Sequence, residues 1–156
     1  MTTDEPTARA MDSLRSIVRA IGGLSRTPSK SGISGAQLFA LRQISETPGL
    51  SLGELATRTL ARQSSVSELV ARLDEKGFIH RAPGESDARQ VRLTLTAKGR
   101  RAIAQSTATA QERLISGLEL LPKAKRVQLA ENLEAWLAAS GFSDIPPTMF
   151  FESRER

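Results

Sequence analysis

Ser51 to Thr96 reads SLGELATRTLARQSSVSELVARLDEKGFIHRAPGESDARQVRLTLT, and its patterning decides how the rest of the chain is read. Ser51 and Glu54 stand at the spacing of a capping box, in which each satisfies a backbone N–H of the other. Leu52, Leu55 and Ala56 then follow on one helical face. Val66, Leu69, Val70 and Leu73 stand at i, i+3, i+4 and i+7, a single apolar stripe. Gly77 is placed to end this second helix as a C′ glycine. Phe78 to Ala82 reads as a short strand. From Gln90 to Leu95, Val91, Leu93 and Leu95 point one way and Gln90, Arg92 and Thr94 the other, which predicts a second strand. Pro83, Gly84, Glu85, Ser86 and Asp87 supply turn chemistry between the two.

The faces left polar by this pattern suit double-stranded DNA. Gln63, Ser64, Ser65 and Ser67 oppose the apolar stripe of the second helix. Their short or amide-bearing side chains can approach base edges, Gln pairing with adenine and Ser with either partner. Neither Ala61 nor Arg62 is a good N-cap, so which of Arg62 to Ser65 points into a groove stays open. Asp87 stands two residues before Arg89 and can hold its guanidinium ready for a narrow minor groove. Ser51 lies near the DNA backbone in this reading, and Arg72, Arg92 and Arg100 supply positioning charge, which fixes register without reading sequence.

Charge is concentrated over an overlapping stretch that runs a little further. From Arg58 to Arg101 there are ten Lys and Arg against five Asp and Glu, and the rest of the chain has twelve of each, so the whole net charge of +5 falls between those two residues, on the second helix, the two strands and the residues just after them. A localised basic excess is the footprint of phosphate binding. The 156 residues suit one domain of ordinary size. Aromatic residues make up 4% and there is no Tyr, so the core must be aliphatic. The absence of Cys excludes disulfides, thiolate redox sensing and sulfur metal sites. The acidic, polar start MTTDEPTARAMD is unlike a secretory signal, and no run is long and apolar enough to span a membrane. A cytoplasmic, DNA-associated protein is expected.

The series Leu55-Ala56, Ser64-Ser65-Val66-Ser67-x-Leu69-Val70-x-Arg72-Leu73, Gly77-Phe78-Ile79, Asp87-x-Arg89 and Leu93-Thr94-Leu95-Thr96-x-x-Gly99 resembles the MarR family of winged-helix repressors. Each piece is weak alone; their order and spacing make them specific. The resemblance covers the core of the chain. It implies a mainly α fold with a small β-wing, a winged helix-turn-helix plus a terminal-helix dimerisation region. It also implies a homodimer on a pseudo-palindromic operator, and suggests release by a small-molecule effector. No cofactor is expected.

The flanks divide the chain into 1–33, an N-terminal dimerisation helix; 34–96, the DNA-binding region or reader head; 97–139, C-terminal dimerisation helices; and 140–156, an arm. Residues 1–7 read as a disordered lead. Met11, Leu14, Ile17, Val18, Ile21 and Leu24 share a face of a helix from about Ala8 to Ser25. This stripe calls for pairing across a dimer, with packing on its own reader head as the alternative. A loop runs from Pro28 to Ile33. Ser34 and Gln37 form a second capping box, ahead of inward-facing Leu38, Leu41 and Ile44. Thr96 is expected to cap a long helix reaching Gly117, with Ile103, Ala110, Leu114 and Leu118 inside. Near its start, Lys98, Arg100 and Arg101 are either phosphate contacts or simply solvated. Pro122 is expected at N1 of a last helix, with Val127, Ala130, Leu133 and Leu137 in its stripe and Trp136 in the core. In the tail, Met149, Phe150 and Phe151 suggest an arm docked on the dimer, against the alternative of a disordered tail.

Catalytic chemistry has little to stand on. The one His, His80, falls on the wing with no second His or Cys to join it in a metal site or triad. No glycine-rich phosphate loop follows a strand, and the carboxylates form no evident acid–base pair. Two functional readings remain: a sequence-specific DNA-binding regulator, and a winged-helix protein-interaction module that does not read DNA. A docking module should expose large hydrophobes on its second helix, and this one places polar residues there.

Overall fold

The computed structural model describes residues 4–25 and 32–149. In chain order these form α1 (Glu5–Ser25), α2 (Gly35–Glu46), α3 (Leu52–Thr59), α4 (Gln63–Glu75), β1 (Ile79–Pro83), β2 (Val91–Leu95), α5 (Ala97–Ala104), α6 (Ala110–Glu119) and α7 (Lys123–Ala139). The mainly α fold with a two-stranded wing is as expected. The loop expected over Pro28, the side chain of Leu24, and Phe150 and Phe151 of the tail lie outside the described residues.

α2 is the central element, touching α3, α4, α5, α6 and β2. Both expected capping boxes form: Ser34 Oγ accepts from Gln37 N–H and Ser51 Oγ from Glu54 N–H, each reciprocated. Leu38, Leu41 and Ile44 are buried. They share one core with Leu55 of α3, with Val66, Leu69, Val70 and Leu73 of α4, and with Phe78 and Leu93 of the wing. Each such side chain contributes about 1.5–3 kcal/mol when fully buried. The strands pair antiparallel, with His80 opposite Thr94 and Pro83 opposite Val91. Each begins one residue later than the sequence suggests, and Pro83 closes β1 instead of opening the turn.

The wing root is joined to α5 by close packing. Thr96 Oγ1 donates to Gly77 O at 2.8 Å and accepts from Gly99 N–H at 3.1 Å, capping α5. A Cβ on Gly99 would overlap the Phe78 carbonyl oxygen, which explains a glycine in the first turn of a helix. Gly99→Ala is therefore expected to cost about 1–3 kcal/mol through overpacking against backbone that cannot yield. A melt indistinguishable from the parent's would contradict that geometry.

Several expectations are corrected. α1 starts at Glu5, not Ala8, so residues 5–7 are helical and not part of a lead: Asp4 Oδ1 accepts from Thr7 N–H at 3.3 Å, and Pro6 lies in the first turn, where a missing N–H costs nothing. The long helix after the wing is broken between Ala104 and Ala110, where Thr109 and Glu112 form a third capping box. Pro122 is the N-cap of α7, not its first residue. Trp136, expected in the core, is 37% exposed in the single chain. Met149 is buried within the chain's own core cluster, so this residue of the arm packs on its own chain.

Candidate nucleic-acid interface

Two exposed surfaces flank the buried stripe of α4. The first is the start of α4 itself. Its apolar stripe faces the core, which leaves Gln63, Ser64 and Ser67 exposed and Ser65 partly so. Arg62 holds the N-cap position in extended backbone and caps nothing with its side chain. The turn into it passes through Leu60, left-handed at φ 52° and 71% exposed. A non-glycine residue there stores about 1–2 kcal/mol of strain. Sequence reasoning missed it, because no glycine or asparagine marks the position. Arg72 lies one helical turn from the end of α4 and is half-buried.

The second surface is the wing tip. Here the sequence reading is corrected in detail. Asp87 Oδ1 accepts from the backbone N–H of Arg89 at 3.0 Å, an Asx-type turn that shapes the loop. Among the described residues no ion pair joins Asp87 to the Arg89 guanidinium, and Arg89 is exposed. Asp87 thus orients the backbone that carries Arg89 and leaves the charge itself unheld. Gly84 N–H donates to Gln90 O at 2.7 Å and Gln90 N–H to Asp87 O at 3.0 Å, closing the tip.

Between the surfaces lies the N-terminus of α3. Ser51 uses its hydroxyl in the capping box and stays partly exposed. The Ser51 backbone N–H first, its side chain second, and the Arg92 and Arg58 charges hold the Glu54 carboxyl below its ordinary range. That stabilisation is fully present above the unfolded-state pKa and fades as pH falls through the lowered folded value. Arg92 is tied to Glu54 by an ion pair at 3.2 Å. Lys98 and Arg100, weighed above as phosphate contacts, are exposed but donate to the Lys76 and Leu95 carbonyls. Lys98 Nζ also sits 4.5 Å from the Phe78 ring centroid. His80 is exposed on β1.

The residues expected to dimerise lie apart from this face. Leu14, Val18, Leu118, Leu133 and Leu137 are exposed, Leu114 partly so, and no residue of α7 is buried. Among the described residues no cluster of His, Asp and Glu could hold a metal ion, and no helix is long and apolar enough to cross a membrane.

Comparison with known proteins agrees with this arrangement. A model described as the MarR family matches residues 31–90. An uncharacterised HTH-type transcriptional regulator of Mycobacterium bovis is 32% identical over 113 residues, 72% of this chain and 78% of its own length. The crystal structure of the YusO protein of Bacillus subtilis superposes with a TM-score of 0.53 at 26% identity, covering 90% of this chain and 99% of that one. FabT of Streptococcus pneumoniae, solved in complex with DNA, shares the fold with a TM-score of 0.55 at 19% identity, covering 86% and 96%.

Proposed function

The chain belongs to the MarR family of winged helix-turn-helix transcriptional regulators, and on that premise we propose that it is a homodimeric repressor of a pseudo-palindromic operator. It is a regulator of transcription, not an enzyme. The observation that carries the finer reading is the polar start of α4 beside an exposed, unheld Arg89 at the wing tip. The start of α4 enters the major groove with Arg62, Gln63, Ser64, Ser65 and Ser67 toward the bases. The wing takes Arg89 to the adjacent minor groove. Ser51 and Arg72 stand near the phosphates. FabT, with the same fold, has been solved with DNA. A docking module would need an apolar surface on α4, and no large hydrophobe of that helix is exposed.

Two copies pair through α1, α6 and α7, which places half-sites about one turn apart, roughly 10 base pairs. A small molecule wedged between these helices and the reader head would change that spacing and so couple to DNA affinity.

The test is a titration against duplex selected by the protein from a random-sequence pool, at two salt concentrations. Binding should weaken steeply with salt, each neutralised phosphate adding about −0.9 to the log–log slope. Arg89→Ala should weaken binding to all sequences and flatten that slope by roughly one phosphate. Gln63→Ala or Ser65→Ala should instead relax preference at particular base pairs, by about 1–3 kcal/mol where a good bidentate pair is lost. Parental binding by Arg89→Ala would remove the wing from the interface, and binding indifferent to salt would favour the docking module.

A further inference from the structure

The two arginines at the open end of the wing are built differently. Arg89 stands in solvent, whereas the Arg92 guanidinium is engaged by protein on both its arms. Nη1 donates to Gly49 O and to Glu54 Oε2, each at 3.2 Å, and Nη2 donates to Gln90 Oε1 at 3.1 Å. Those acceptors belong to three places that must be aligned for DNA to be read: the segment before α3, the first turn of α3, and the base of the wing tip. The same segment is stitched to β2 by backbone bonds, Gly49 N–H to Leu93 O at 2.8 Å and Leu93 N–H to Leu50 O at 2.9 Å. Gly84 leaves the room this needs, since a Cβ there would lie 2.9 Å from Asp87 O, 3.2 Å from Gln90 O and 3.5 Å from Arg92 Nε. Glu54 in turn is fixed by Ser51 N–H at 2.7 Å.

We infer that Arg92 is a positioning residue, whose ion pair with Glu54 sets where the wing tip stands relative to α4, and that its charge is not delivered to DNA. This revises the assignment of Arg92 as a phosphate contact, and it rests on the reading that α4 and the wing bind duplex together. A planar, five-donor guanidinium suits the task, because it can bridge several acceptors in one fixed geometry.

The alternatives differ in sign. If Arg92 touched phosphate, Glu54 would be competing with DNA for it, and Glu54→Gln would tighten binding. If Arg92 positions the wing, Glu54→Gln loosens it and weakens binding. Gln at this position can still complete the capping box, so the fold is kept. The experiment titrates the parent, Glu54→Gln, Arg92→Ala and the double variant against the selected duplex at two salt concentrations, with amide hydrogen exchange at Arg89 and Gln90. Each single variant is expected to weaken binding about threefold to fivefold, the upper part of the range for a half-exposed ion pair. The double variant should be no worse than either single one, the salt slope should match the parent's, and both amides should exchange faster. Tighter binding by Glu54→Gln, or a slope reduced by about 0.9 in Arg92→Ala, overturns the inference alone. A parent that shows no salt-dependent duplex binding takes the DNA reading down with it.

Discussion

Leu133→Glu combined with Leu137→Glu is expected to turn a dimer into a monomer and to remove tight operator binding with it. The single chain leaves Leu133 and Leu137 44% and 49% exposed, beside Val127, Leu129 and Trp136 on the same helix. Leu14, Ile17 and Val18 of α1 are exposed too, and α6 lies against α1. The proposed second copy would cover these faces of α1 and α7 together, each fully covered side chain contributing about 1.5–3 kcal/mol. Two carboxylates placed there would be desolvated without a partner, which no interface of this kind tolerates. The reader head should survive, since α7 has no buried residue and lends nothing to the core. Loss of the second half-site then removes the linked binding event, a decrease of about 10²–10⁴-fold. Light scattering at micromolar concentration should give the chain mass for the variant and twice that for the parent, with unchanged circular dichroism. A variant that stays at twice the chain mass would move the interface off α7. A monomer that binds as tightly as the parent would end the two-half-site reading.

What the sequence disclosed and what it withheld divide along a physical line. The stripe Val66, Leu69, Val70 and Leu73, the boxes at Ser34 and Ser51 and the αL glycine at 77 are set by neighbours within a few residues, and all stand where their spacing puts them. The break between α5 and α6 was half visible, in Thr109 three residues before Glu112. It was hidden by Ala102, Ile103 and Ala110, which keep a helical period across it and offer no Gly or Pro. The contacts of Asp87 and Arg92 lie beyond the sequence for one reason. Sequence shows that an acid and a base are near each other, but not that a backbone N–H is nearer to Asp87 than the guanidinium is. Nor does it show that a carboxylate 38 positions away claims Arg92. The apolar character of Trp136 suggests a core place, but α7 buries no residue in its own chain. Which of the exposed polar residues on α4 read bases is a question of groove geometry that no periodicity can answer.

Arg42 had no signature in the sequence at all, and its loss is expected to have the largest effect on stability. It projects from α2 into the break between α5 and α6. Nη1 pairs with Glu112 at 2.9 Å, while Nη2 donates to Ser106 O at 3.1 Å, Ser106 Oγ at 3.0 Å and Thr107 O at 2.6 Å. The two side chains are only 17% and 20% exposed. One guanidinium therefore satisfies free carbonyls in the break after α5 and holds Glu112, the capping-box partner of Thr109 in the first turn of α6. Arg42→Ala would leave Glu112 charged, largely enclosed and without its counter-ion, together with two carbonyls that nothing else in the break reaches. The expected cost is about 3 kcal/mol, the lower end for breaking a buried pair because water still reaches this one. Urea unfolding should show a lower midpoint at unchanged slope. Glu112→Gln keeps the Thr109 box, since Gln also serves at that position, and it removes the charge that Arg42→Ala would strand. The double variant should accordingly be more stable than the sum of the two single losses predicts, the behaviour of groups in one network. A second consequence is functional. α6 touches both α1 and α2, so the break is where the proposed dimer helices meet the reader head. Loosening it should let the spacing between the two heads vary. Operator binding would then fall more than binding to unrelated duplex, because only the operator demands both half-sites in register. If Arg42→Ala unfolds at the parental midpoint, the break is held by something other than this guanidinium, and the link from α2 to the dimer helices fails with it.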